Sequence, residues 1–408
     1  MKNKKQKKNK DWLSVALDIA KPVVAVGIAV ASCIYFGTDN ILSNLIASFI
    51  GFLVALVFAE VVTKAKLSLE DSNKIATDDF TYDEDTYLHD VHLGEKSTHI
   101  WYYPLVNDVN ARYEVEDDPT KFFELDGFLN ANFTLLMQAH QASFLDNPTM
   151  IRLDDCVAQK DGSFKLLTSR TAYFNDLVTN RTMDYKFSGN LTVRKIYESG
   201  KYLSPLSESH MSNHLGIIAH VFHGGNEILA ERGGTATISK NKFTTCVAAG
   251  LSLQDIRDAH GDGVQQPAVT ARDILDGVVL LKLADRINLP HEQVLALNKE
   301  GKIKVYLLGL GQLVYTGGKP QLYYAVTIDE SVDLSEINAR PVNKQQIDYN
   351  KRMVIASNVT LRKHHVLNLE CSNGRSLKGE AERSFYIGLW HLQTQDRIEG
   401  IPDWVYQK

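Results

Sequence analysis

The chain is short of cysteine and has no paired cysteine motif. Its 408 residues hold four, Cys33, Cys156, Cys246 and Cys371. They are scattered, with no CxxC pair and no metal-ligand spacing. That pattern points to single reduced thiols and argues against a secreted disulfide scaffold. Excess charge is also lacking, at −5 net. A duplex nucleic-acid partner needs a basic face, so none is expected. No internal repeat is visible. The remaining composition is globular, 44% hydrophobic and 23% charged, and long enough for one large domain or two smaller ones.

What is present is concentrated at the N-terminus. Six lysines among the first ten residues precede an apolar stretch over 13–36, then the turn Gly37-Thr38-Asp39-Asn40, then a second stretch over 41–63. About 20 apolar residues is the length that crosses a bilayer as a helix. The expectation is a two-helix transmembrane hairpin within residues 1–67. Lysines before the first span and after the second place both termini in the cytoplasm of a two-pass inner-membrane protein. Ser43, Ala47, Gly51, Ala55 and Ala59 recur every four residues and form one small-residue stripe. Such a stripe permits close helix packing in lipid, within the hairpin or between copies.

Residues 68–97 are acidic and read as an exposed linker or as a solvated surface. Residues 98–408 read as a cytoplasmic globular region of mixed strands and helices, α/β or α+β. A helix is expected over Lys121–Phe144. The segment 214–232 reads as a hairpin around Gly224-Gly225, and a second turn falls at Thr316-Gly317-Gly318-Lys319-Pro320. A long helix is expected from Pro267 to about Asn288, and a closing one from Gly379 to Gln393.

The order of segments from Thr171 onward carries a resemblance. Asn213-His214-Leu215-Gly216-Ile217 leads into the hairpin, Val247-Ala248-Ala249-Gly250 closes a strand, and Ala271-Arg272-Asp273-Ile274-Leu275-Asp276 opens a helix. Over residues 150–400 this resembles a divergent Nudix domain, whose box is Gly-x5-Glu-x7-Arg-Glu-U-x-Glu-Glu-x-Gly-U, with U bulky and apolar. Arg272, Asp273, Ile274 and Asp276 stand at the Arg-Glu-U-x-Glu part, and Gly250 stands for the first glycine. Gly277 replaces the second Glu of the pair, Val279 replaces the later glycine, and Asp255 lies too far from Arg272.

The implied fold class is two N-terminal transmembrane helices plus an α/β (α+β) Nudix-like soluble domain. Together these parts resemble the transmembrane Nudix effectors of bacterial CBASS antiphage defence. That resemblance implies a receptor for a cyclic nucleotide, whose copies assemble as a homo-oligomer among inner-membrane lipids and breach the membrane. Arg232, Gly250 and Arg272 are its expected ligand contacts. No catalytic residue is assigned and no cofactor is required. The alternative is a membrane-anchored Nudix hydrolase of a nucleoside diphosphate derivative. That reading needs Mg²⁺, held by Asp273 and Asp276, because hard divalent cations take carboxylate oxygens.

Overall fold

The computed structural model describes residues 81–140, 146–233, 241–261, 263–338 and 350–407. The chain divides into two units, residues 1–77 with 184–190 and residues 78–183 with 191–408. Of the first, residues 184–190 are described, and they end in the tight turn Ser188–Asn190 with Gly189 at φ 74°. All elements named below belong to the second.

A helical turn α1 (Glu84–Tyr87) opens the second unit and feeds β1 (Leu88–Leu93) and β2 (Lys96–Val106). β3 (Tyr113–Phe122), α2 (Gly127–Ala131), α3 (Phe133–Gln138), β4 (Thr149–Ala158), β5 (Phe164–Ala172), α4 (Tyr173–Val178) and α5 (Val193–Tyr197) follow. The central hairpin is β6 (Gly216–His223) and β7 (Asn226–Arg232), trailed by β8 (Phe243–Thr245), β9 (Val247–Gly250) and α6 (Leu253–His260). A π-helical turn, Asp273–Gly277, runs into α7 (Val278–Ile287), then α8 (His291–Lys299), β10 (Ile303–Leu313) and β11 (Lys319–Ile328). The chain closes with β12 (Asn350–Lys363), β13 (Val366–Cys371), β14 (Ser376–Glu380) and α9 (Arg383–Gln393).

These strands make an eleven-stranded mixed sheet in the order β1-β2-β10-β11-β6-β7-β12-β13-β14, with β8 on β7 and β9 on β6. Its parallel pair is β6 with β11, running from Gly216 opposite Gln321 to His223 opposite Ile328. The sheet curls until the β1–β2 turn meets β12, where Lys96 Nζ donates to the Arg362 carbonyl at 2.8 Å. A three-stranded sheet, β3-β5-β4, lies apart. It is tied to the large one where Ile151 N donates to Leu251 O (2.9 Å) and Leu215 N to Ile151 O (2.8 Å).

β6 and β11 are near-continuous apolar runs because both sheet faces are covered. Ile217, Ala219 and Val221 join Val278, Leu280 and Leu283 in one core layer. Ile218 and Phe222 join Phe385, Leu389 and Leu392 of α9 in the other. The helices therefore sandwich the middle of the sheet.

The expected membrane architecture is corrected here. The described residues form an α+β fold around a large curled sheet, and none of their helices is long and apolar enough to cross a membrane. α9, at 11 residues, spans about 16 Å at 1.5 Å per residue, roughly half a hydrocarbon core. The Asp273–Ile287 run carries Asp273, Asp276, Lys282, Asp285 and Arg286. A two-pass inner-membrane placement therefore has no support in this fold. The spans 13–36 and 41–63, with Ser43, Ala47, Gly51, Ala55 and Ala59, lie outside the described residues.

Local expectations also shift. Within the acidic stretch, Leu88–Leu93 is a strand paired to β2. The helix expected over Lys121–Phe144 starts later, because Asp126 accepts from Phe128 N and caps α2. The closing helix starts at Arg383, since Gly379 still belongs to β14 opposite Leu367.

Glycine is required in β10. A Cβ at Gly311 would overlap the Tyr102 hydroxyl and the Tyr103 carbonyl, whereas one at Gly127 meets nothing within 4 Å. Gly311→Ala is expected to cost about 1–3 kcal/mol through overpacking. Gly127→Ala is expected to be neutral or stabilising by up to about 1 kcal/mol. Urea titrations of the two variants check the opposite signs.

Candidate functional site

Three features of the second unit concentrate chemistry: the box-like turn, a buried charge cluster, and an aromatic cleft.

The box-like turn is held from below. Arg170 and Asp117, both 3% exposed, form a two-pronged pair with Nη1–Oδ1 2.7 Å and Nη2–Oδ2 2.8 Å. Asp117 Oδ2 also accepts from Val269 N, and Arg170 Nη2 donates to the Pro267 carbonyl. A planar guanidinium matched to a carboxylate fixes orientation as well as distance. It sets where the chain enters the π turn, itself a geometry frequent at functional sites.

Within that turn the two expected metal ligands differ. Asp273 is 2% exposed. Its Oδ2 accepts from Thr270 N (2.7 Å) and Thr270 Oγ1 (2.8 Å), and His260 Nε2 lies 3.0 Å from both oxygens. The carboxylate is thus an N-terminal cap and a partner for α6. Asp276 is half-buried, and burial raises its pKa while exposed Arg272 works against the rise. Its Oδ1 is buried with no hydrogen-bond partner. Asp255 is absorbed as well: it closes a capping box with Ser252 and pairs with Lys282. Among the described residues no group of three or more His, Cys, Asp or Glu could hold a metal ion.

The expected ligand contacts do not converge. Arg272 and Asp276 share the turn. Gly250 ends β9 opposite Gly216, and a Cβ there would meet Met150 Cε at 2.6 Å and His214 Nε2 at 3.0 Å. Its lack of a side chain serves packing. Arg232 ends β7 with Nη2 3.6 Å from Glu382, the N-cap of α9, and α9 covers the sheet face opposite the box-like helix.

The buried cluster centres on Asp176 of α4, fully buried. Lys319 Nζ donates to Asp176 Oδ1 at 2.9 Å, and Arg181 Nε lies 3.2 Å from Oδ2. Lys319 also hydrogen-bonds His214 Nε2. Burial alone would raise the Asp176 pKa, but its neighbours His214, Lys319 and Arg181 hold it well below the carboxylate range. Burial drives Lys319 down to about 7 and His214 down to about 3. His214 is therefore neutral and accepts from Lys319. The cluster is enclosed, so it joins α4 to the starts of β6 and β11.

The cleft, about 450 Å³, opens where β2 lies against β10. Tyr87, buried, has the rings of Tyr103 at 5.4 Å and Tyr202 at 6.4 Å. Tyr103 is 36% and Tyr202 61% exposed. Asp155 and Gln312 line the same space, and among the described residues no Lys, Arg or His does. Sequence reasoning missed the cleft, because its tyrosines come from positions 87, 103 and 202 with no shared motif. It quoted Asp176 and His214 without a role and treated Lys319 only as part of a turn.

No protein-family model matches the chain, and no curated protein matches it. The class is set by the fold alone: an α+β protein on a curled mixed sheet.

The neutral His214 gives a pH prediction. The unfolded chain binds its proton below 6.5, while the folded chain refuses it until about 3. Folded stability contributed by His214 is thus complete above pH 6.5 and is lost as pH falls towards 3. Between pH 6.5 and 5 the wild type should lose about 2 kcal/mol more than His214→Gln, at about 1.4 kcal/mol per unit. Denaturant midpoints at the two pH values measure the difference.

Proposed function

We propose that the second unit is a receptor for a nucleotide-derived signal rather than a hydrolase, in the manner of the Nudix-like effectors of CBASS antiphage defence. The observation that carries this is the engagement of Asp273. Pyrophosphate cleavage needs free carboxylates to hold Mg²⁺ against dense negative charge. Asp273 instead accepts from Thr270 and faces His260, and Asp255 serves α6 and Lys282. A fold that keeps the helix and turn while using the acids for its own cohesion suits binding without turnover. The signal class is a cyclic oligonucleotide, and the response is assembly between copies. That response follows only if the ligand favours the assembled state over the resting one.

One observation favours hydrolysis. Asp276 keeps an unpartnered oxygen on a π turn, with a raised pKa, which suits a proton-handling acid.

Thermal unfolding of the full-length chain with a panel of cyclic di- and trinucleotides separates the readings. A cognate ligand at a hundredfold excess over its Kd should add about 2.7 kcal/mol of stability. Asp276→Asn should leave that shift intact. No shift with any of them would sink the receptor reading. So would Mg²⁺-dependent cleavage of a nucleoside diphosphate derivative that Asp276→Asn abolishes.

A further inference from the structure

We propose that the aromatic cleft between β2 and the 202–206 segment is a base-recognition site, taking one guanine-type heterocycle stacked on Tyr202 with Asp155 reading its donor edge. The proposal deepens the receptor reading by naming where a nucleotide is read and which base is preferred.

Three observations carry it. First, Tyr202 leaves 61% of its surface to solvent beside the cleft, and Tyr103 leaves 36%. Both pack against Tyr87, whose hydroxyl accepts from Leu203 N at 2.9 Å. That bond ties the tyrosine cluster to the 202–206 segment and holds two accessible ring faces in place. A planar heterocycle gains more from such faces than an aliphatic chain does, and base stacking on an aromatic side chain is sequence-tolerant and strong.

Second, the hydrogen-bonding capacity of the cleft is lopsided. Asp155 is its one charged lining residue among those described. Its Oδ1 accepts from Cys156 N at 2.8 Å, and its Oδ2 makes no hydrogen bond among the described residues. A carboxylate only accepts, so the ligand edge it meets must donate. Guanine offers a ring N–H and an amino group side by side. Adenine and cytosine offer an amino group without the adjacent ring N–H. Gln312 Nε2 donates to the Gly318 carbonyl at 3.1 Å, which fixes the amide at the cleft wall, and its second N–H suits the carbonyl oxygen of guanine.

Third, the lining contains no cation among the described residues. A phosphate would find nothing there to neutralise it, so the sugar and phosphates of a nucleotide stay outside and the base enters. A volume of about 450 Å³ falls in the range of small-molecule sites, about 300–1,000 Å³.

Isothermal titration of the full-length chain with guanosine, inosine, adenosine and uridine tests this. Guanosine should bind most tightly. Inosine keeps the ring N–H but lacks the amino group, so it should bind about tenfold more weakly, the scale of one charge-assisted hydrogen bond. Tyr202→Ala should weaken guanosine binding about tenfold with the melting temperature unchanged, because the ring is mostly exposed. Asp155→Asn should remove the guanosine-over-inosine preference. Absence of nucleoside binding, or binding that ignores both substitutions, overturns the proposal. The two readings fail separately. A cyclic nucleotide that stabilises wild type and Tyr202→Ala equally removes the cleft and leaves the receptor. Guanosine held in the cleft with no cyclic nucleotide effect does the reverse.

Discussion

The second unit depends on one buried carboxylate. Asp176 has no solvent contact, and an isolated charge there would cost several kcal/mol in desolvation. Lys319, from β11, and Arg181, five residues on, compensate it, and Lys319 hands a further bond to His214. Each partner sits at an element's end: His214 precedes β6, Lys319 begins β11, and Arg181 follows α4. β6 and β11 are the parallel pair at the centre of the sheet. Parallel strands have no hairpin to set their register, so a charge cluster at their common end supplies a constraint that a turn supplies elsewhere. Removing one partner of such a cluster leaves the others uncompensated, which is why buried pairs are costly to break even where they add little net stability.

The same logic explains why the box-like segment looks as it does. Asp117 and Arg170 pin residues 267–269 from the small sheet. The helix that follows must then begin where Thr270 and His260 can use an acid as a cap, and Asp273 is that acid. A carboxylate bound this way has its lone pairs directed at N–H and O–H donors. A cation there would share those oxygens with the cap and the bond to α6. Folding alone therefore accounts for the position of this acid.

Much of the sheet was legible in the sequence because its signals are local. Gly224 and Gly225 (φ 54° and 76°) and Gly317 and Gly318 (φ 62° and 81°) take backbone angles that favour glycine, and the hairpins fall where those pairs stand. The apolar runs of β6 and β11 fit strands covered on both faces. What failed was non-local. Phe122 and Phe123 suggested a helical face, yet Phe122 is half-exposed at the end of β3, and the Asp126 cap decides where helix begins. Gly379 looks like a helix start until Phe243 is found against it, where a Cβ would come within 2.7 Å of Phe243 Cε2. The box-like residues were found at the right helix, but spacing says nothing of which donor a carboxylate will meet. The cleft was invisible because tyrosines at positions 87, 103 and 202 share no period.

The distribution of unmet bonding capacity then separates the acids of the second unit by role. Asp176, Asp117, Asp255 and Asp273 meet donors with both oxygens or are sealed by cations. Each is explained by folding alone. Asp155 keeps an oxygen without a partner, and it borders open space walled by accessible aromatic rings. Asp276 keeps one too, but beneath the π turn, with Tyr324 also lacking a partner for its hydroxyl. An acid beneath a helix meets only what is small enough to enter the core. An acid facing a cleft meets whatever planar donor the aromatic rings can hold. The base-recognition proposal rests on the second case, because there the fold leaves a charged acceptor and a stacking surface together.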